Sequence, residues 1–176
     1  ASGKHLHDLV DSVLTIADET GKPETAPQTF NLRVLIDDLL SSSRDGEKDK
    51  LKGRNISKTG KDKEAILMVA DQDSVRSMLS NLLANAVQHN PPNCKVRISV
   101  RQTRNRGISI SVIDDGVGID AEIVRKLGEP FNTTGDAFLA GNRGLGLGLH
   151  ATKKMIENHG GRIVITTAKD SGTTVR

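Results

Sequence analysis

Four groups of residues in this chain have types and spacings that could do chemistry. The stretch Ile110-Ser111-Val112-Ile113 alternates and then delivers Asp114-Asp115-Gly116-Val117-Gly118-Ile119, two acids followed by two glycines one residue apart. A strand that brings a carboxylate to a rim, followed by backbone free of side chains, suits recognition of a nucleotide base. Asp-Asp-Gly also caps ordinary hairpins, so this stretch alone leaves both readings open. Gly144-Leu145-Gly146-Leu147-Gly148-Leu149 runs into a periodic apolar segment. Glycines leading into a helix N-terminus form an anion site, because free N–H groups and the helix dipole point the same way. Asn81 and Asn85 lie one turn apart in a helical pattern. An asparagine amide competes for backbone partners in mid-helix, so a pair there suggests a task. Either the amides bridge to neighbouring loops, or one offers its oxygen to a Mg²⁺ that also touches phosphate.

Two familiar phosphate-binding schemes fail. A Walker loop needs Gly-Lys followed by Ser or Thr, whereas the chain has Gly21-Lys22-Pro23 and Gly60-Lys61-Asp62. A dinucleotide fold places its glycines directly after a strand. Here residues 132–143 precede them, a small, polar stretch without periodicity and with the composition of a lid.

The elements that must position these groups follow from periodicity. Leu6, Leu9, Val10, Val13, Leu14 and Ala17 predict an amphipathic helix over 4–18 that needs a partner, and Gly21, Pro23 and Pro27 make 19–28 a linker. An edge strand is expected over 29–31, then a helix marked by Leu32, Leu35, Ile36, Leu39 and Leu40 that ends in Ser41-Ser42-Ser43. Residues 44–64 read as a polar loop with a short strand at 55–58, and Ile66-Leu67-Met68-Val69 as a buried strand. A helix over about 71–90, capped by Asp71 or Asp73, buries Val75, Met78, Leu79, Leu82, Leu83, Ala86 and Val87. Segments 96–100 and 108–112 alternate cleanly and predict an antiparallel pair with one wet face. A short helix from Asp120 towards Leu127 stops at Glu129-Pro130-Phe131. The last helix turns Leu149, Thr152, Met155 and Ile156 inward and ends at Gly160-Gly161, and strands at 162–167 and at the end of the chain complete the sheet.

Composition excludes several classes. Only 2% of the 176 residues are aromatic, so the core is aliphatic. Cys94 is the single cysteine, which rules out an internal disulfide. No apolar run approaches the ~18 residues of a membrane span, so a cytoplasmic location is expected, within a parent that is membrane-anchored or not. The net charge of +3 and the cluster Lys48, Lys50, Lys52, Arg54, Lys58, Lys61, Lys63 invite nucleic acid. Acids interleave with the cations and stacking aromatics are missing, so no nucleic-acid partner is expected.

Taken together the motifs resemble the ATP-binding domain of the sensor histidine kinases, in the ATPase superfamily that includes gyrase, MutL and the ninety-kilodalton heat-shock chaperones. Asn81-Leu82-Leu83-Ala84-Asn85-Ala86 is similar to that family's N box, Asp114 to Ile119 to its first glycine box, Glu129-Pro130-Phe131 to its F box, and Gly144 to Leu149 to its second glycine box. The resemblance implies an α+β fold, a two-layer sandwich of the Bergerat type whose mixed, mostly antiparallel sheet is covered by helices on one face. It implies a division at residue 28, with 1–28 an incomplete second dimerisation helix and linker and 29–176 the catalytic, ATP-binding domain.

For the site, the resemblance implies that Asp114 accepts from the adenine amino group while Gly116 and Gly118 let the base lie on backbone. Asn85 would coordinate Mg²⁺ and Asn81 would support the phosphates, the two forming the catalytic pair. The nucleotide-binding set comprises Asn85, Gln88, His89, Asp114, Gly116, Gly118, Ile119, Phe131, Thr133, Thr134, Arg143, Gly144, Leu145, Gly146, Leu147, Gly148 and Leu149. Gln88 replaces a Lys or Arg common in the family, and Asn132-Thr133 replaces an Arg, which removes cations from the phosphate site and predicts weaker nucleotide binding.

The implied partners are ATP with Mg²⁺, a histidine-bearing dimerisation domain, a response-regulator receiver domain and, in the full-length protein, a second copy. His7-Asp8-Leu9 begins like the acceptor box but lacks its proline, so the phosphoacceptor is expected on a segment absent from this chain. His5, His89, His150 and His159 read as surface or supporting groups. The leading function is γ-phosphoryl transfer from Mg·ATP to such a histidine, and the alternative is a regulatory module that binds nucleotide or a partner without transfer. A free-standing gyrase-type ATPase uses a glutamate where Asn81 stands, so hydrolysis is expected to be slow.

Overall fold

The structure is a computed structural model that describes residues 26–45, 51, 54–59, 64–119, 124 and 147–176. Within them the chain runs β1 (Gln28–Asn31), α1 (Leu32–Asp45), β2 (Asn55–Thr59), β3 (Leu67–Ala70), α2 (Gln72–Gln88), β4 (Lys95–Gln102), β5 (Ile108–Asp114), α3 (Leu147–Asn158), β6 (Ile165–Thr167) and β7 (Thr173–Val175). The helix expected over 4–18, the short helix after Asp120, the F box, the lid and Gly144 to Gly146 lie outside the described residues.

Five strands form one sheet in the order β2-β4-β5-β7-β6, and β1 and β3 form a separate antiparallel ribbon. Only β2 and β4 run parallel; β4-β5, β5-β7 and β7-β6 are antiparallel. Alternation decides the faces. Val96, Ile98, Val100 and Val112 are buried under the helices, while Lys95, Arg97 and Arg101 of the same β4 strand stand in water. Helix α2 lies over β4 and β5, with α1 and α3 packed beside it. This is the expected two-layer α+β sandwich.

Helix α2 carries Asn81 and Asn85 and is built as its sequence predicts. Asp71 is the cap, accepting from the Asp73 backbone N–H at 3.1 Å and from the Ser74 hydroxyl at 2.8 Å. The seven expected apolar residues, Val75 to Val87, are those it buries. At its other end the Arg54 guanidinium donates to the Val87 carbonyl at 2.8 Å, placing a cation where the helix dipole is negative.

Three expectations change. Ile66 to Val69 is not a buried strand: Leu67 and Val69 are 63% and 68% exposed, and only Ile66 and Ala70 are buried. Strand β3 pairs with β1 alone, and such a ribbon rests one face on the core and leaves the other wet, which an apolar run does not reveal. Helix α1 continues through the three serines to Asp45, since serine only mildly disfavours helix and Ser41 bonds back to the Asp38 carbonyl. The sixth strand spans Ile165–Thr167 and is shorter than expected, with Val164 still exchanging backbone bonds with Arg176 just before it.

Candidate nucleotide site

Strand β5 ends at Asp114 with its carboxylate on the helix-covered side, 8% exposed. Two backbone donors converge on the same oxygen: Gly116 N–H at 3.1 Å and Thr173 N–H, from the start of β7, at 3.2 Å. Burial raises the Asp114 pKa, and the Gly116 and Thr173 N–H groups and the Asn90 side chain pull it back down. Oδ2 receives no backbone donor among these bonds, which leaves an acceptor for a ligand amino group. Asp115 points away: it accepts from the Lys95 N–H at 2.7 Å, and that bond holds its carboxyl below the ordinary aspartate range. The two acids are thereby divided, one on the helix-covered face and one at the β4 edge.

The glycines that follow are required by space. Gly118 has φ +68°, and a Cβ there would collide with the Ala168 carbonyl. Ile119 N–H donates to the Thr167 hydroxyl at 2.9 Å, and that hydroxyl donates to the Gly172 carbonyl at 2.9 Å. With its one proton so used, Thr167 must accept from the Thr173 hydroxyl, 3.1 Å away. A closed network therefore seats the first glycine box on the β6-β7 turn.

Asn81 and Asn85 lie on α2, half-buried. The Asn81 Nδ2 is buried without a hydrogen-bond partner among the described residues. A buried amide donor of this kind is a group that a polar ligand would satisfy. No group of three or more His, Cys, Asp or Glu that could hold a metal occurs among the described residues. Gln88 ends α2, and His89 caps it through its N–H to the Asn85 carbonyl; burial lowers the His89 pKa. In α3, Gly148 stands in the first turn and Leu149 is partly buried against the core, while Phe131, Thr133, Thr134, Arg143, Gly144, Leu145 and Gly146 lie outside the described residues, as does the side chain of Leu147.

Sequence reasoning missed three residues: Asn90, Thr167 and Thr173. Asn90 stands in Asn90-Pro91-Pro92, a turn signal, and Thr173 in Gly172-Thr173-Thr174, which reads as strand alone. Their partners lie 27 and 59 residues away, at Val117 and Asp114, so no local pattern could have found them.

The fold and site define a nucleotide-binding ATPase domain. Residues 70–176 match the family of histidine kinase-, DNA gyrase B- and HSP90-like ATPases, and the chain belongs to it. It is similar to sporulation kinase A of Bacillus subtilis, 32% identical over 98% of this chain and 28% of that protein. It is also similar to the circadian input-output histidine kinase CikA of Synechococcus elongatus, 30% identical over 98% of this chain and 23% of that protein. The chain thus spans under a third of either relative. The nucleotide-free catalytic domain of histidine kinase ThkA superposes with a TM-score of 0.69 at 25% identity, covering 86% of this chain and 93% of that one. Full-length ShkA in complex with AMPPNP has the same fold, with a TM-score of 0.77 at 22% identity over 99% of this chain and 35% of that one. The matching part is the ATP-binding catalytic domain that histidine kinases carry. No helix among the described residues is long and apolar enough to cross a membrane.

Proposed function

We propose that this chain is the part of a two-component histidine kinase that binds Mg·ATP and presents the γ-phosphoryl to a histidine on a dimerisation segment, from which a response-regulator receiver domain takes it. The observation that carries the reading is the Asp114 carboxylate, buried at a strand end with one oxygen tied by two backbone N–H groups and the other without a backbone donor. Such a group is an oriented acceptor for the adenine amino group. Gly116 and Gly118 let the loop beside that carboxylate close against Asn90 and the Ala168 carbonyl, and Ile119 closes the loop on Thr167. Residues 1–28 fit the end of the dimerisation unit and 29–176 the catalytic domain.

The donor set suits Mg²⁺ that arrives with the triphosphate. Asn85 offers one neutral oxygen and no acid cluster stands beside it among the described residues, which suits an ion that the protein alone binds poorly. Bound with ATP, Mg²⁺ would neutralise phosphate charge. Asn81 then donates its orphaned N–H to a phosphate oxygen, while Gln88 and His89 line the same end of α2. The family resemblance gives the phosphates to the second glycine run, Gly144, Gly146 and Gly148, of which Gly148 stands in the first turn of α3, and adds Phe131, Thr133, Thr134 and Arg143 to the nucleotide-binding set. Asn81 in place of a glutamate leaves water without a base, which favours transfer over hydrolysis.

Titration of the purified chain with Mg·ATP by calorimetry, followed by addition of an acceptor-helix peptide with labelled ATP, tests this reading. Binding with label on the acceptor histidine supports it. Binding without transfer identifies the regulatory module that the neutral Gln88 favours, and no binding at millimolar nucleotide overturns both.

A further inference from the structure

We propose that Asn90 sets adenine selectivity in this chain by clasping the end of α2 to the glycine loop and holding that loop against Asp114. The proposal rests on the adenine reading of Asp114 given above. Asn90 lies two residues beyond the end of α2 and is half-buried. Its Nδ2 donates to the Ala86 carbonyl at 2.8 Å, and its Oδ1 accepts from the Val117 N–H at 3.0 Å. The side chain also favours the charged form of Asp114. These contacts fix which way the amide faces, because the reverse orientation would set its oxygen against a carbonyl and its NH₂ against an N–H.

Gly116 is the socket for this clasp. Its φ is not in the left-handed region, yet a Cβ there would overlap the Asn90 carboxamide. The glycine is therefore demanded by Asn90 and not by the backbone. Every N–H of the loop with an assigned partner is turned inward: Gly116 to Asp114, Val117 to Asn90, Ile119 to Thr167. None of these three is left to read the base, so discrimination at the 6-amino group falls to the carboxylate, whose placement depends on the clasp. Asn90 is a positioning residue; it acts through Asp114 and the loop.

The test compares ATP with purine riboside triphosphate, which lacks only the 6-amino group, by calorimetry without Mg²⁺. The parent should prefer ATP by about tenfold or more, the effect of one hydrogen bond to a charged acceptor. Asn90→Ala and Asn90→Asp, the second of the same shape but without the donor, should each lose about tenfold for ATP and change the analogue within about twofold. A loss of mere structure would weaken both nucleotides alike and would overturn the proposal. In thermal melting, Gly116→Ala should lower Tm in the parent and cost nothing further in the Asn90→Ala background; equal cost in both backgrounds also overturns it. A parent that binds neither nucleotide sinks the adenine reading itself. A parent that prefers ATP, beside an Asn90→Ala variant with the full preference, sinks the role of Asn90 alone.

Discussion

The Thr173 backbone N–H donates to Asp114 Oδ1 at 3.2 Å, joining residues 59 apart in the chain and tying the last strand to the rim of the candidate pocket. It shares that oxygen with the Gly116 N–H, so the carboxylate is oriented before any ligand arrives. Preorganisation of this kind lowers the ordering cost of binding.

Asp114→Asn should weaken ATP binding and keep the fold. An amide oxygen can still accept from Gly116 and Thr173, but the nitrogen then faces the adenine amino group. A lost charge-assisted bond is worth about 1.5–3 kcal/mol, roughly ten- to a hundredfold in affinity by calorimetry.

The same residue sets a pH dependence of stability. Burial raises its pKa above the unfolded value of 3.8, so the native state binds the proton more tightly than the unfolded chain does. Its contribution therefore improves as pH falls through the folded pKa and levels off below 3.8, and at neutral pH the charge costs stability. Asp114→Asn should melt at or above the parent temperature at pH 7, with the advantage shrinking towards pH 4. A melting temperature well below the parent at pH 7 contradicts this.

Asn85→Ala should remove the Mg²⁺-dependent gain in ADP affinity and leave affinity without Mg²⁺ within about twofold, since alanine favours the helix and the base is held elsewhere. Titrations with and without Mg²⁺ measure it. A mutant that keeps the full gain would take Asn85 out of the metal site.

Gly118→Ala forces a side chain into φ +68° and into the Ala168 carbonyl. We expect a loss of more than about 1 kcal/mol in urea unfolding, because relief requires the β6-β7 turn to move. A variant as stable as the parent would show that the turn is free to shift.

Thr152 is fully buried on α3, and its hydroxyl has no hydrogen-bond partner among the described residues. Thr152→Val keeps the shape and removes the orphaned group, and should raise stability by up to about 1 kcal/mol. A loss of stability instead would mean that the hydroxyl is satisfied in solution.

Much of this was legible in the residues themselves. The apolar stripe of α2, the alternation of β4 and β5 and the positions of Asp114 and the glycines follow from periods of 3.6 and 2 and from residue chemistry, which are local properties. Which of two adjacent acids faces the covered side was not local. Asp114 turns inward and Asp115 outward because the register with β4 sets Asp114 opposite Val96, on the covered face. The exposure of Leu67 and Val69 depended on which face of the β1-β3 ribbon rests on the core, and α1 ran on past its three serines, which no period marks. Asn90, Thr167 and Thr173 acquired their places only when distant segments met around Asp114, since a hydrogen bond between residues 27 or 59 apart leaves no period in the sequence. Periodicity determined the elements and the acid; tertiary pairing decided which groups orient it.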